Sequence, residues 1–126
     1  MALKVELKPH ERVIIGSCVV TNTDQRARLL IDGDNIPILR EKDILTAETA
    51  NTTLKQLYLC IQMMYLEKNI PKYQDIYMNF VRDLLEREPT YRKTIETASK
   101  LILSGSLYHS LKEVRKLIKR EEGLPR

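Results

Sequence analysis

At 126 residues, 43% hydrophobic and 30% charged, the chain has the composition of one compact body, and a disordered or fibrous protein is excluded. The formal charge of +4 is modest but uneven, since residues 90–126 carry nine basic against four acidic side chains while residues 1–45 carry seven of each. The C-terminal end is therefore the one suited to attract phosphate. Glu6, Lys8, His10, Glu11 and Arg12 interrupt the stretch that a secretory signal needs, and the longest apolar block, residues 57–66, falls well short of the roughly 20 residues of a membrane span. The expectation is a cytoplasmic protein with no membrane contact.

The first 45 residues read as short strands. Leu3, Val5 and Leu7 alternate with Lys4, Glu6 and Lys8, the period of a strand with one wet face. Residues 13–15 and 18–21 make two more strands with a bend at Gly16, and residues 26–32 make another. Asn22-Thr23-Asp24 and Asp32-Gly33-Asp34-Asn35 supply turns, the Asp-Gly pair being a hairpin signal. Residues 36–39 complete about five strands, with Pro37 calling for an edge position because it has no N–H to donate.

From about Asp43 the apolar period changes to that of a helix, with Thr46, Thr49, Thr52 and Thr53 as alternative caps. A first helix over residues 53–68 is apolar around most of its girth, which demands burial on more than one side, as a central helix or a dimer contact. Pro71 opens a second helix whose Tyr73, Ile76, Tyr77, Phe80, Val81, Leu84 and Leu85 form one face accounted for by core packing. Tyr91, Ile95, Ala98, Leu101 and Ile102 describe a third helix that stops at Gly105, and Leu107, Tyr108, Leu111, Val114, Leu117 and Ile118 a fourth. The fold class is α+β, a small antiparallel sheet followed by about four helices, in a single domain with a β subregion at 1–45 and a helical subregion at 46–126. The six tyrosines are mostly core candidates, and Cys18 and Cys60 read as buried free thiols.

Chemistry is hard to find in this sequence. His10 and His109 have no partner at metal-ligand spacing, and four scattered glycines form no phosphate-cradling loop. Asp32, Asp34 and Asp43 follow no calcium-loop pattern. No catalytic group, metal or cofactor is expected. Two cationic sets remain. Arg12, Arg26, Arg28 and Arg40 sit on or beside strands, where a guanidinium binds phosphate or stacks on a base, or simply faces water. Lys112, Arg115, Lys116, Lys119 and Arg120 recur along the fourth helix opposite its apolar residues, either as a phosphate-binding face or as an ordinary wet one.

The run Pro37-Ile38-Leu39-Arg40-Glu41-Lys42-Asp43-Ile44-Leu45-Thr46, preceded by Lys8-Pro9-His10-Glu11-Arg12 and followed by Gln62-Met63-Met64-Tyr65, resembles the bacterial FlbT family over nearly the whole chain. That resemblance implies a repressor of flagellin synthesis. Such a protein associates with the 5′ untranslated region of flagellin mRNA and promotes its decay. Residues 1–45 are also similar, more weakly, to the carbon-storage regulator CsrA, a small dimeric β protein that binds RNA. The segment beginning Glu11-Arg12-Val13 and the later Arg40-Glu41 carry this likeness, although the helical half has no counterpart there. It implies an RNA surface at Leu3, Lys4 and Arg40, and it leaves a homodimer open.

Taken together, Arg40 and Lys4 are expected to bind the flagellin mRNA leader, with Leu3, Arg12, Arg26 and Arg28 beside them. Lys112, Lys116, Lys119 and Arg120 are expected to add nonspecific attraction to phosphate. The competing expectation is a helical adaptor that grips flagellin or another flagellar regulatory protein through an exposed surface at Met63 and Met64.

Overall fold

The computed structural model describes residues 2–123. The chain divides into two compact units, Met1–Ile44 and Leu45–Arg126.

The first unit is built from five antiparallel strands: β1 (Ala2–Leu7), β2 (Arg12–Ile15), β3 (Cys18–Thr21), β4 (Ala27–Asp32) and β5 (Ile38–Arg40). They form two small sheets, β1 with β4, and β3-β2-β5 with β2 in the middle. The alternation seen in β1 does what its period requires. Val5 and Leu7 turn inward with Val13, and Ile15, Val20, Leu29, Ile31 and Ile38 pack around them, so the apolar rows of both sheets share one core. Asn22 closes one end of this unit, its amide nitrogen donating to the carbonyls of Leu7, Lys8 and Gln25 at 3.2, 2.9 and 2.8 Å.

Three expectations need correcting in this unit. Asp32-Gly33 does not make a hairpin, because β4 pairs with β1 and β5 with β2. The turn instead carries the chain from one sheet to the other, and glycine suits position 33 because its φ of 154° is one that other residues rarely adopt. The fifth strand begins after Pro37, whose carbonyl accepts from Gly16 N–H at 2.8 Å, although β5 does lie at an edge. Cys18 is exposed, lying opposite Ile15 at the turn end of the β2–β3 hairpin.

The second unit holds α1 (Thr53–Glu67), α2 (Ile70–Arg87), α3 (Arg92–Leu103) and α4 (Leu107–Glu121). Local chemistry sets their ends. Thr52 caps α1 by accepting from Lys55 N–H at 3.2 Å, and Asn69 caps α2 by accepting from Lys72 N–H at 3.2 Å, just ahead of Pro71. Gly105 ends α3 in a left-handed conformation at φ 81°. Its N–H reaches Ile102 O at 3.0 Å and the Ser106 N–H reaches Leu101 O at 2.8 Å, the two bonds of a Schellman motif.

α1 packs against both α2 and α4, which explains its all-round apolarity as that of a central helix. Leu54, Leu57, Tyr58, Ile61 and Met64 are fully buried on it. Gln62 is buried as well, and its amide exchanges two hydrogen bonds of 2.9 Å with the backbone of Leu45, so no polar atom of that side chain goes unpaired. Burial of Met64 removes the expected Met63–Met64 surface, because only Met63 retains exposure. On α2 the expected seven-residue core face is narrower: Tyr77, Val81 and Leu84 are buried, while Ile76 is 49% exposed. Of the tyrosines only Tyr58 and Tyr77 are buried, which corrects their reading as mostly core. Among the described residues no helix is long and apolar enough to cross a membrane.

Candidate nucleic-acid interface

The strand register decides where the cations of the first unit go. In the β1–β4 pair Lys4 faces Leu30 and Glu6 faces Arg28, all on the outward face, while Leu3 lies on the inward row with Val5 and Leu7. Leu3 and Lys4 therefore point to opposite sides. Arg28 Nε sits 3.4 Å from Glu6 Oε1.

In the other sheet Arg40 faces Val13, on the inward row, and Arg12 points the opposite way, where its Nε donates to Glu41 Oε1 at 3.0 Å. Because the two sheets meet through their inward rows, Lys4 and Arg28 lie on the outward face of one sheet and Arg12 on the far face of the other, where Leu39 is nevertheless buried. Arg40 itself is held. Its Nη2 donates to the Glu6 carbonyl at 3.0 Å and lies 3.8 Å from Glu11 Oε2, and its Nε is buried without a partner. Arg26 precedes β4, is exposed, and has no ion pair among the described residues. The four arginines thus do not converge within one copy of this unit, and three of them already face carboxylates.

The second unit differs. On α4, residues 112, 115, 116 and 119 recur at the three- and four-residue spacing that places them on one side of a helix, opposite the buried Leu111, Val114 and Leu117. Lys112, Arg115 and Lys119 are half-buried and Lys116 and Arg120 exposed. At the end of this helix Glu121 accepts from Thr52 Oγ1 at 2.9 Å and Glu122 pairs with Lys55 at 2.9 Å. Within the stripe the acid is Glu113, 3.0 Å from Lys116, an exposed pair that costs little to exchange for another anion. Arg120 stands apart from the stripe, its guanidinium 5.6 Å from the centre of the Tyr91 ring.

Sequence reasoning missed the aromatic residues at the head of the stripe. Tyr108, assigned to the apolar face, is 38% exposed. Lys112 Nζ lies 5.1 Å from its ring centre, the Tyr65 ring 6.2 Å away at a 51° tilt, and the His109 ring 6.0 Å away edge-on. The four-residue step from Tyr108 to Lys112 was the available signal; the Tyr65 contact is tertiary and leaves none.

Among the concave features is an apolar groove of about 330 Å³ along α1 and α2, lined by Ala50, Leu59, Cys60, Met63, Ile76 and Phe80 among others. Burial pushes the Cys60 thiol up to about 11, so it stays protonated and unreactive at neutral pH.

The fold is that of a small α+β protein whose surplus of positive charge lies in residues 90–126, which include its last helix. A family model described as "Flagellar protein FlbT" matches residues 3–124, and the chain belongs to the FlbT family. A "Probable flagellum biosynthesis repressor protein FlbT" from Rhodopseudomonas palustris strain TIE-1 is 62% identical over 98% of this chain and 98% of its own. "Probable flagellum biosynthesis repressor protein FlbT 1" from Bradyrhizobium diazoefficiens is 57% identical over 98% of this chain and 85% of its own. A "Flagellum biosynthesis repressor protein FlbT" from Caulobacter vibrioides strain ATCC 19089 is 30% identical over 97% and 88%. No solved structure gives a significant match. FlbT is a family of regulatory repressors of flagellar synthesis rather than of enzymes.

Proposed function

We propose that this chain is a cytoplasmic repressor of flagellin synthesis that associates with the 5′ untranslated region of flagellin mRNA and promotes its decay. The observation that carries the reading is the cationic side of α4, where Lys112, Arg115, Lys116 and Lys119 line up on one side of the helix. A row of this kind suits the phosphates of an unpaired strand. Lys4 and Arg26, both exposed, are the secondary contacts from the first unit, with Arg28, Arg12 and Arg40 contributing only as far as their carboxylate partners release them. The protein binds rather than cuts, so decay follows from blocked ribosomes or from a message left open to cellular nucleases. Titrating the full chain against a flagellin leader RNA tests this: saturable binding that weakens as salt rises is expected, and absence of binding at low salt overturns it.

The apolar groove favours a second reading, an adaptor that holds a flagellar protein along α1 and α2 through Met63, Ile76 and Phe80. Under that reading, which involves no direct RNA contact, partner capture is insensitive to salt and Ile76→Asp abolishes it.

A further inference from the structure

Tyr108 stands out because a helix packed through Leu111, Val114 and Leu117 has no need of a tyrosine 38% exposed at its start. The ring is nevertheless held in place. Tyr65, projecting from α1, meets it at 6.2 Å, and His109 abuts it edge-on at 6.0 Å. Both distances lie within the range of favourable aromatic pairing. An exposed ring fixed by two neighbours loses little freedom when a third flat group settles on it, so the cost of ordering has largely been met before any ligand arrives.

Its position also matters. Tyr108 is one turn ahead of Lys112, whose ammonium lies 5.1 Å from the ring centre, and the stripe continues through Arg115, Lys116 and Lys119. With the Lys112 ammonium over one face of the ring, a flat group takes the other face and has further cations along the helix axis. A nucleobase attached to a phosphate chain matches that layout. Stacking on one tyrosine is tolerant of base identity, and it requires a base free of a duplex. The cations alone would accept any polyanion; the ring adds a demand for an unpaired base.

We propose that Tyr108, held by Tyr65 and His109 and flanked by Lys112, is a stacking platform for an unpaired nucleobase of a single-stranded RNA whose phosphates follow the α4 stripe. This rests on the RNA reading above and deepens it by naming the residue that separates RNA from a generic polyanion.

The test compares a short oligouridine with an abasic ribose-phosphate strand of equal length, using the full chain and the variants Tyr108→Leu and Tyr108→Phe, each first shown to melt like the parent. The parent is expected to favour the base-bearing strand. Tyr108→Leu should bind it about tenfold more weakly while its binding to the abasic strand stays unchanged. Tyr108→Phe should stay close to the parent on both. Equal binding of the two strands by the parent, or an equal loss on both strands in Tyr108→Leu, overturns the platform and leaves the RNA reading standing. Failure of the parent to bind either strand overturns the RNA reading and the platform with it.

Discussion

Arg40 Nη2 donates to the main-chain carbonyl of Glu6 at 3.0 Å, which ties β5 of one small sheet to β1 of the other. The cation that a likeness to an RNA-binding β protein singles out is therefore also a brace of the unit that carries it. Glu11 lies 3.8 Å away and is itself mostly buried, so removing the guanidinium leaves a shielded carboxylate without its counter-charge.

Arg40→Ala should accordingly weaken the first unit by about 2 kcal/mol, the range of a charge-assisted hydrogen bond. Amide hydrogen exchange at Val13 and Leu39, both buried on strands β2 and β5, is the suitable measure and should speed up by more than tenfold. Unaltered exchange would mean that the bond to Glu6 contributes nothing to the unit.

Gly105→Ala should cost on the order of 1 kcal/mol of helical-unit stability in urea denaturation. The residue sits at φ 81° with open space where a Cβ would go, so the penalty is backbone conformation and not collision. Gly105→Asn, which tolerates the left-handed region better, should recover part of the loss.

The two thiols should behave oppositely. Cys18 is exposed and should be alkylated readily under native conditions, while Cys60 is buried and should react only on unfolding. Its pKa is raised by burial from 9.0 to about 11. Stability associated with the neutral Cys60 thiol is fully present below pH 9.0 and is lost as pH rises through about 11. Cys60→Ala should flatten that part of a stability–pH curve, and a curve with the same alkaline slope in both proteins would contradict the assignment.

At the acid end Glu67 is the group to follow. Hydrogen bonds from Tyr73 and from Lys72 hold its carboxyl below its ordinary 4.5, across the junction of α1 and α2. A depressed carboxyl stabilises the folded chain above pH 4.5 and ceases to do so as pH falls through its folded value. Glu67→Gln should leave that acid-side loss shallower in a pH series of thermal melts.

Much of the architecture is legible in the residues themselves. The alternation of Leu3, Val5 and Leu7, Thr52 among the candidate caps, the start at Pro71 and the stop at Gly105 are local signals, and each element they mark is present. What was hidden depends on contacts between distant positions. Asp32-Gly33 has hairpin chemistry, but which strand pairs with which is set by the shared core of the two sheets, and the turn became a crossing. Met63 and Met64 are indistinguishable in sequence, and only the packing of α2 and α4 around α1 buries one of them. The same holds for the candidate interface. Spacing alone revealed the α4 stripe, whereas the engagement of Arg40 by Glu6 and the contact of Tyr65 with Tyr108 join residues 34 and 43 positions apart.

The central claim is that the α4 stripe holds the phosphates of an unpaired RNA leader, and the slope of log affinity against log salt measures it most directly. Each contact on a single strand contributes about 0.7, so four cations give a slope of roughly −3 for the unmodified chain. Replacing Lys112, Arg115, Lys116 and Lys119 together by glutamine should remove most of that slope, leaving the smaller share of Lys4 and Arg26. A steep slope that survives the fourfold replacement would place the phosphates elsewhere, and a flat slope in the unmodified chain would contradict the account outright.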